Sequence, residues 1–327
     1  MSAVAAAGGA PAFFVCDLAG ASPKHDLASM EHPLFSLATR PDRRILRYTH
    51  NDAEVTITPS VRGRATIFDA DILIFCISQL MAAINAGRAT SRTLTLRAHD
   101  LLTATGRETS GDGYARLREA FERLAGTRIT TNIVTGDVET TSGFGLIEAW
   151  EIVRRSRAGR MVSVSVTLSE WLYRAVLSRS VLTLSRDYFG LRRPLERRLY
   201  ELARKHCGRQ PEWRVSVETL CKKSGSASPR RVFRAMLREA IARDAIPDYA
   251  LTLGPDDVVR VSPRGLVEVP GAGPSLRPET FETARARRPG ADVYALEARW
   301  RAVWAASGCP ALRSPDAAFL GWLAKQA

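Results

Sequence analysis

Apolar positions along this chain alternate between two periods, and the order of those periods repeats. From Asp69 onward Leu73, Cys76, Ile77, Leu80, Met81 and Ile84 recur every three or four residues, which predicts a long helix with one buried stripe. Asp69 stands at a capping position and Gly87 at a left-handed stop. A short strand follows at 93–97, then a short helix at 99–105 and a polar turn at 106–113. Leu117, Phe121 and Leu124 give the next helix, 114–125, its apolar face. Residues 127–135 and 138–141 read as a hairpin around Gly136-Asp137, a pair suited to a tight turn with positive φ. Two more strand-like runs, 146–153 and 161–168, precede a helix that starts near Ser169. Upstream, order begins at 32–37, and Val55 and Ile57 alternate with threonines as a strand within 48–58.

The same order returns about 117 residues later. Leu191, Leu195, Leu199 and Leu202 stripe a helix over 191–207, followed by a strand at 213–215 and a helix at 217–223. Residues 224–228 form the turn. Ser228 and Pro229 suit the cap and first position of a further helix, whose inner face carries Phe233, Leu237 and Ile241. Strands at 249–253 and 258–261 flank Gly254-Pro255-Asp256-Asp257. Helix, strand, helix, turn, helix and hairpin, twice over, predict an α+β chain of two tandem winged-helix domains, each a helix-turn-helix with a β wing. A three-helix core of this kind holds one helix rigidly enough to enter a major groove.

Four segments follow. Residues 1–30, small and without periodicity, read as a flexible N-terminal tail; 31–180 as the first winged-helix domain; 181–264 as the second. Residues 265–327 read as a Pro/Gly linker and a short helical C-terminal segment, with helices near 292–306 and 315–326 and docking aromatics Trp300, Trp304, Phe319 and Trp322.

Charge turns this fold reading toward a partner. The 327 residues carry 47 Lys plus Arg against 34 Asp plus Glu, a net charge of +13, which favours a polyanion. In the first repeat, Arg116 and Arg123 fall opposite the apolar face, one heptad apart. The turn Ser110-Gly111-Asp112-Gly113, with Tyr114, offers backbone N–H groups to a phosphate. In the second repeat Arg231, Arg234 and Arg238 project outward, with Arg230, Lys222, Lys223, Ser226 and Ser228 close by and no acid between Arg230 and Arg238. Arginine reads guanine bidentately at O6 and N7. Arg192 and Arg193 are candidate phosphate contacts, while Arg197, Arg198, Arg204 and Lys205 read as a solvated face around the leucine stripe.

Catalytic patterns are missing from the sequence. It has no GxxxxGK[ST] phosphate loop and no His-x-His pair, and its five cysteines lack zinc-like spacing. Asp69 and Asp71 are explained by a helix start more simply than by a metal. The expectation is a non-enzymatic protein without cofactor or metal. The scattered thiols, the missing secretory signal and the lack of an 18-residue apolar run point to a cytoplasmic protein away from membranes.

Several runs resemble the plasmid replication initiator protein A family. They are Val55-Thr56-Ile57-Thr58-Pro59-Ser60, residues 71–80, Thr109-Ser110-Gly111-Asp112-Gly113-Tyr114, residues 124–133, residues 181–189 continuing through 194–204, and the tract 315–321. The match spans roughly 32–263. The resemblance implies a tandem winged-helix initiator that binds repeated double-stranded sites, iterons, at a plasmid origin. It further implies opening of an adjacent AT-rich stretch and recruitment of the host initiator and replicative helicase. Repression of its own promoter is also implied, often by a homodimer, with monomers initiating. The rival reading is a sequence-specific transcriptional repressor without a replication role.

Overall fold

The computed structural model describes residues 11–50, 53–135, 138–154, 161–264, 274, 276–288, 293–308, 310 and 312–325. The chain divides into two compact units, one of Met1–Val176 with Val181–Arg264, the other of Leu177–Ser180 with Gly265–Ala327. The architecture is α+β.

The larger unit begins with β1 (Phe14–Val15), β2 (Lys24–Asp26), α1 (Leu27–Glu31), β3 (Leu46–His50) and β4 (Ala53–Thr58). The first repeat runs through α2 (Ala70–Asn85), β5 (Thr93–Leu96), α3 (Ala98–Ala104), α4 (Gly111–Gly126), β6 (Arg128–Thr135), β7 (Val138–Gly145), β8 (Ile147–Arg154) and β9 (Met161–Leu168). Then come α5 (Glu170–Leu177), β10 (Val181–Thr183) and a 3-10 turn at Arg186–Gly190. The second repeat is α6 (Pro194–His206), β11 (Trp213–Ser216), α7 (Val217–Ser224), α8 (Arg230–Arg243), β12 (Tyr249–Leu253) and β13 (Val258–Pro263).

The repeat is real at the level of strand pairing, but the hairpin of the first copy is not the expected one. In the second copy the strand order is β11-β13-β12. In the first, β5 pairs with β9 and β9 with β8, in the order β1-β5-β9-β8. The counterpart of β12–β13 is therefore β8–β9. The hairpin expected from 127–141 forms as β6–β7 but joins another sheet, β3-β4-β6-β7, where Ile57 faces Ile129 and Ile129 faces Phe144. Alternation along β6 identifies a strand and its inward face, not its partner. The expected Gly136-Asp137 tip lies outside the described residues.

Residues 11–30 also depart from the expected tail. Phe14 and Val15 pair in parallel with Leu94 and Thr95, and β2 pairs with β10 through Asp26↔Val181 to Lys24↔Thr183. His25, Asp26 and Met30 are buried. Strands of two and three residues are too short to carry a period, so sequence alone leaves them unmarked.

The apolar residues of α2 and α6 enter the core as their spacing predicts, but α2 is buried on nearly every face, Asp71, Ser78 and Gln79 included, and not along the one expected stripe. Leu73, Cys76, Ile77 and Leu80 on α2, and Leu195, Leu199 and Leu202 on α6, enter one continuous core that reaches from Phe14 to Val261. The expected solvated face of α6 is corrected: Glu196, Arg197, Arg198 and Glu201 are buried too. Arg197 donates through Nη1 to Asp71 Oδ1 at 2.5 Å and through Nε to the Leu191 carbonyl at 2.8 Å, with its guanidinium 4.5 Å from the Phe68 ring centroid. Arg198 donates to the Lys223 and Ser29 carbonyls and to Glu201 Oε2. A buried guanidinium survives only when its donors are matched in this way. Asp69 occupies the N-cap position of α2 without bonding the helix N–H groups; its carboxylate takes the Thr66 N–H and the Arg123 guanidinium instead.

The smaller unit holds α9 (Pro278–Arg287), α10 (Val293–Ala306) and α11 (Pro315–Ala324). Phe281, Trp300, Phe319 and Leu323 form its own core, with Trp322 packed against it. Trp304 instead donates its indole N–H to the Pro310 carbonyl.

Candidate nucleic-acid interface

The outward face of α8 is built from its inward one. Phe233, Leu237 and Ala240 are buried, so Arg231, Val232, Ala235 and Arg238 are left exposed. The helix starts at Arg230 with Pro229 at the cap; Ser228 does not cap it as expected, because its hydroxyl is turned to Met236 Sδ at 3.9 Å. The tight link from α7 rests on Gly225, at φ +64, where a Cβ would lie 2.6 Å from Pro33 Cβ. Gly225 is thus needed both for its left-handed backbone and for its missing side chain.

The arginines of α8 sort into two groups. Arg231 and Arg238 are exposed and make no ion pair among the described residues. Arg230 and Arg234 are each held, at 2.5 Å, by the same oxygen of Asp257 in the β12–β13 turn. Hydrogen bonds from Arg234 and Arg230 hold that carboxyl below its usual range. Asp256, beside it, pairs with Arg260 instead at 2.7 Å. The sequence reading found no acid along the helix and missed these, because they arrive from the hairpin.

Other expected contacts are occupied structurally. Lys223 is 6% exposed and bound to Glu31, so it is not a surface cation. Arg123 turns inward to hold Asp69 bidentately at 2.7 and 2.9 Å and ties α4 to α2. Lys222 is exposed and pairs with Glu218 at 2.9 Å. Arg193 reaches Glu239 on α8 at 3.1 Å, and Arg192 reaches toward the Gly106 carbonyl at 3.5 Å. The start of α6 thereby lies between α8 and the turn before α4.

In the first repeat α4 begins three residues earlier than expected. Ser110 caps it, accepting the Gly113 N–H at 3.4 Å, so Gly111, Asp112 and Gly113 are helical. Gly113 is buried, and a Cβ there would lie 1.9 Å from the Glu108 carbonyl oxygen. Tyr114 is half-buried, and its enclosed hydroxyl has no hydrogen-bond partner among the described residues. Only Arg116 of the two expected arginines stays exposed, 3.6 Å from Glu108. The basic outward surface is therefore stronger on α8 than on α4.

A repeated three-helix unit with a hairpin, of α+β architecture and with an exposed basic helix, defines the class of fold. The comparisons with known proteins make it specific. Residues 24–251 match replication initiator protein A. A protein of Wigglesworthia glossinidia brevipalpis named as a replication protein is 37% identical over 241 residues, 72% of this chain and 87% of that one. The chain belongs to the replication initiator protein A family. In fold it is similar to crystal structures of domains 2 and 3 of RctB, with TM-scores of 0.53 and 0.50 at 14% identity. Those matches cover 72% of this chain and 95% and 96% of theirs. No described helix is long and apolar enough to cross a membrane.

Proposed function

We propose that this chain initiates plasmid replication by binding repeated duplex sites at the origin through two winged helices, over 31–180 and 181–264. In this reading α4 and α8 are the recognition helices, and β8–β9 and β12–β13 are the wings. The observation that carries the reading is the outward face of α8, where Arg231 and Arg238 stand exposed without an ion partner among the described residues. Those two suit guanine edges, and Val232 and Ala235 between them offer apolar contact to thymine methyl groups. Arg192 and Arg193 at the start of α6, with Arg116, Lys222 and the Ser110 turn, suit phosphates.

Two recognition helices on one chain suit two major-groove segments about 10 bp apart. Bending between them would strain an AT-rich neighbour, where flexible steps deform cheaply. Recruitment of the host initiator and replicative helicase, repression of its own promoter as a homodimer, and action in the cytoplasm complete the proposal. Family membership supports these roles. Footprinting of the full chain on the DNA flanking its own gene, at about 100–150 mM salt, tests it. Evenly spaced protected direct repeats are expected. A single inverted repeat over the promoter would favour a repressor without a replication role, and protection with no preferred site would defeat the proposal.

A further inference from the structure

The hairpin turn beside α8 carries two adjacent acids with different partners. Asp256 binds Arg260 on its own strand. Asp257 reaches out of the hairpin, and its Oδ2 takes both Arg230 and Arg234 of α8. Its backbone is fixed as well: the Asp257 carbonyl accepts the Val217 N–H at 3.0 Å, its N–H bonds the Gly254 carbonyl at 3.3 Å, and it sits at φ +60. An acid at the edge of a polyanion-binding surface repels the partner it adjoins. Here its effect is larger than one charge, because it also occupies two cations.

Resting on the DNA reading above, we propose that Asp257 is a specificity-determining residue: it parks Arg230 and Arg234 on the wing and so withholds them from phosphates of random duplex. At a cognate site, α8 seated in the groove brings phosphates close enough to displace the carboxylate, and the two guanidiniums then contribute. On random DNA the helix does not seat and the clamp stays closed. Random binding is thereby held down more than specific binding, which raises the ratio that matters against an excess of competing sites.

Asparagine tolerates the left-handed backbone at position 257, so Asp257→Asn removes the charge while keeping the turn. Asp256→Asn removes the same charge one residue away and serves as the control. The full chain and its variants are titrated onto a random duplex and onto the footprinted site, with thermal melting as a check on folding. Asp257→Asn is expected to bind random duplex about ten-fold tighter, with a salt slope steeper by about one to two, and to gain less on the footprinted site. Asp256→Asn is expected to change random binding far less. A second arm does not depend on that variant folding: Arg230→Ala with Arg234→Ala, Asp257 intact, bares the carboxylate and so lowers random binding somewhat, but is expected to weaken specific binding by much more. Equal gains from both asparagine variants, no gain from Asp257→Asn, or a loss of random binding in the double alanine variant as large as its loss of specific binding would each overturn the clamp while leaving the DNA reading intact. Failure of the unaltered chain to bind any duplex would remove that reading, and the clamp with it.

Discussion

Arg197 sets the energetic scale at single residues. It is 2% exposed, and its bond to Asp71 spans 126 positions of sequence, joining the first helix of one repeat to the first helix of the other. Arg197→Ala leaves Asp71 with Arg107 alone, at 3.3 Å. It should destabilise the larger unit by about 3–5 kcal/mol in urea unfolding, whereas the exposed Arg231→Ala should fall within about 0.5 kcal/mol. Glu31 makes the residue scale pH-dependent. Against burial that would raise it, His206, Lys223 and Lys205 hold its carboxyl well below the usual range. A carboxyl depressed in the folded state contributes stability that is complete above its unfolded pKa, about 4.3, and is lost as pH falls below that. His206, lowered mainly by burial, adds a loss of the same sign as pH falls through about 6.5. Unfolding free energy should therefore drop as pH falls through about 6.5 on account of His206 and go on dropping below about pH 4.3 on account of Glu31, and Glu31→Gln should flatten the part of the slope below about pH 4.3. An unchanged slope in the variant would remove Glu31 from the account. None of this was legible beforehand: Arg197, Arg198 and Lys223 look like surface cations because the groups that satisfy them lie far away in sequence.

The elements were largely legible, and their pairing was not. Helical spacing located α2, α4, α6, α7 and α8 within a few residues, because each carries apolar residues at helical spacing and most carry a capping or stopping signal. Leu117 and Phe233 face inward as their spacing predicts, both 0% exposed. Leu117→Ala should cost about 2–5 kcal/mol and Phe233→Ala about 3–5 kcal/mol, read by chemical denaturation; a near-neutral result at either would reverse the facing of that helix. The first-repeat hairpin was misassigned, since β6 and β9 are both β-branched strands and only the packed sheet chooses which one β5 takes. Likewise Arg123 sits on the polar face of α4 by periodicity, yet Asp69 on a neighbouring helix claims it. The candidate interface was therefore legible as a helix and a charge, while the division of its arginines required the β12–β13 turn.

At the level of the whole molecule, the chain belongs to a replication initiator family, and the two units have separate cores. A chain ending at Arg264 should then keep the melting transition of the larger unit, and a shift of more than a few degrees would show that the smaller unit supports it. Neutralising about 6–10 phosphates should make duplex affinity fall steeply between 50 and 200 mM salt. The central claim is that the outward arginines of α8 read DNA sequence. It is tested most directly by titrating Arg231→Ala and Arg238→Ala against the footprinted site and a random duplex at one salt concentration. The account predicts a loss of about 1–3 kcal/mol on the footprinted site with little change on random DNA. Equal losses on both would make these arginines phosphate contacts, and no loss on either would place recognition somewhere other than α8.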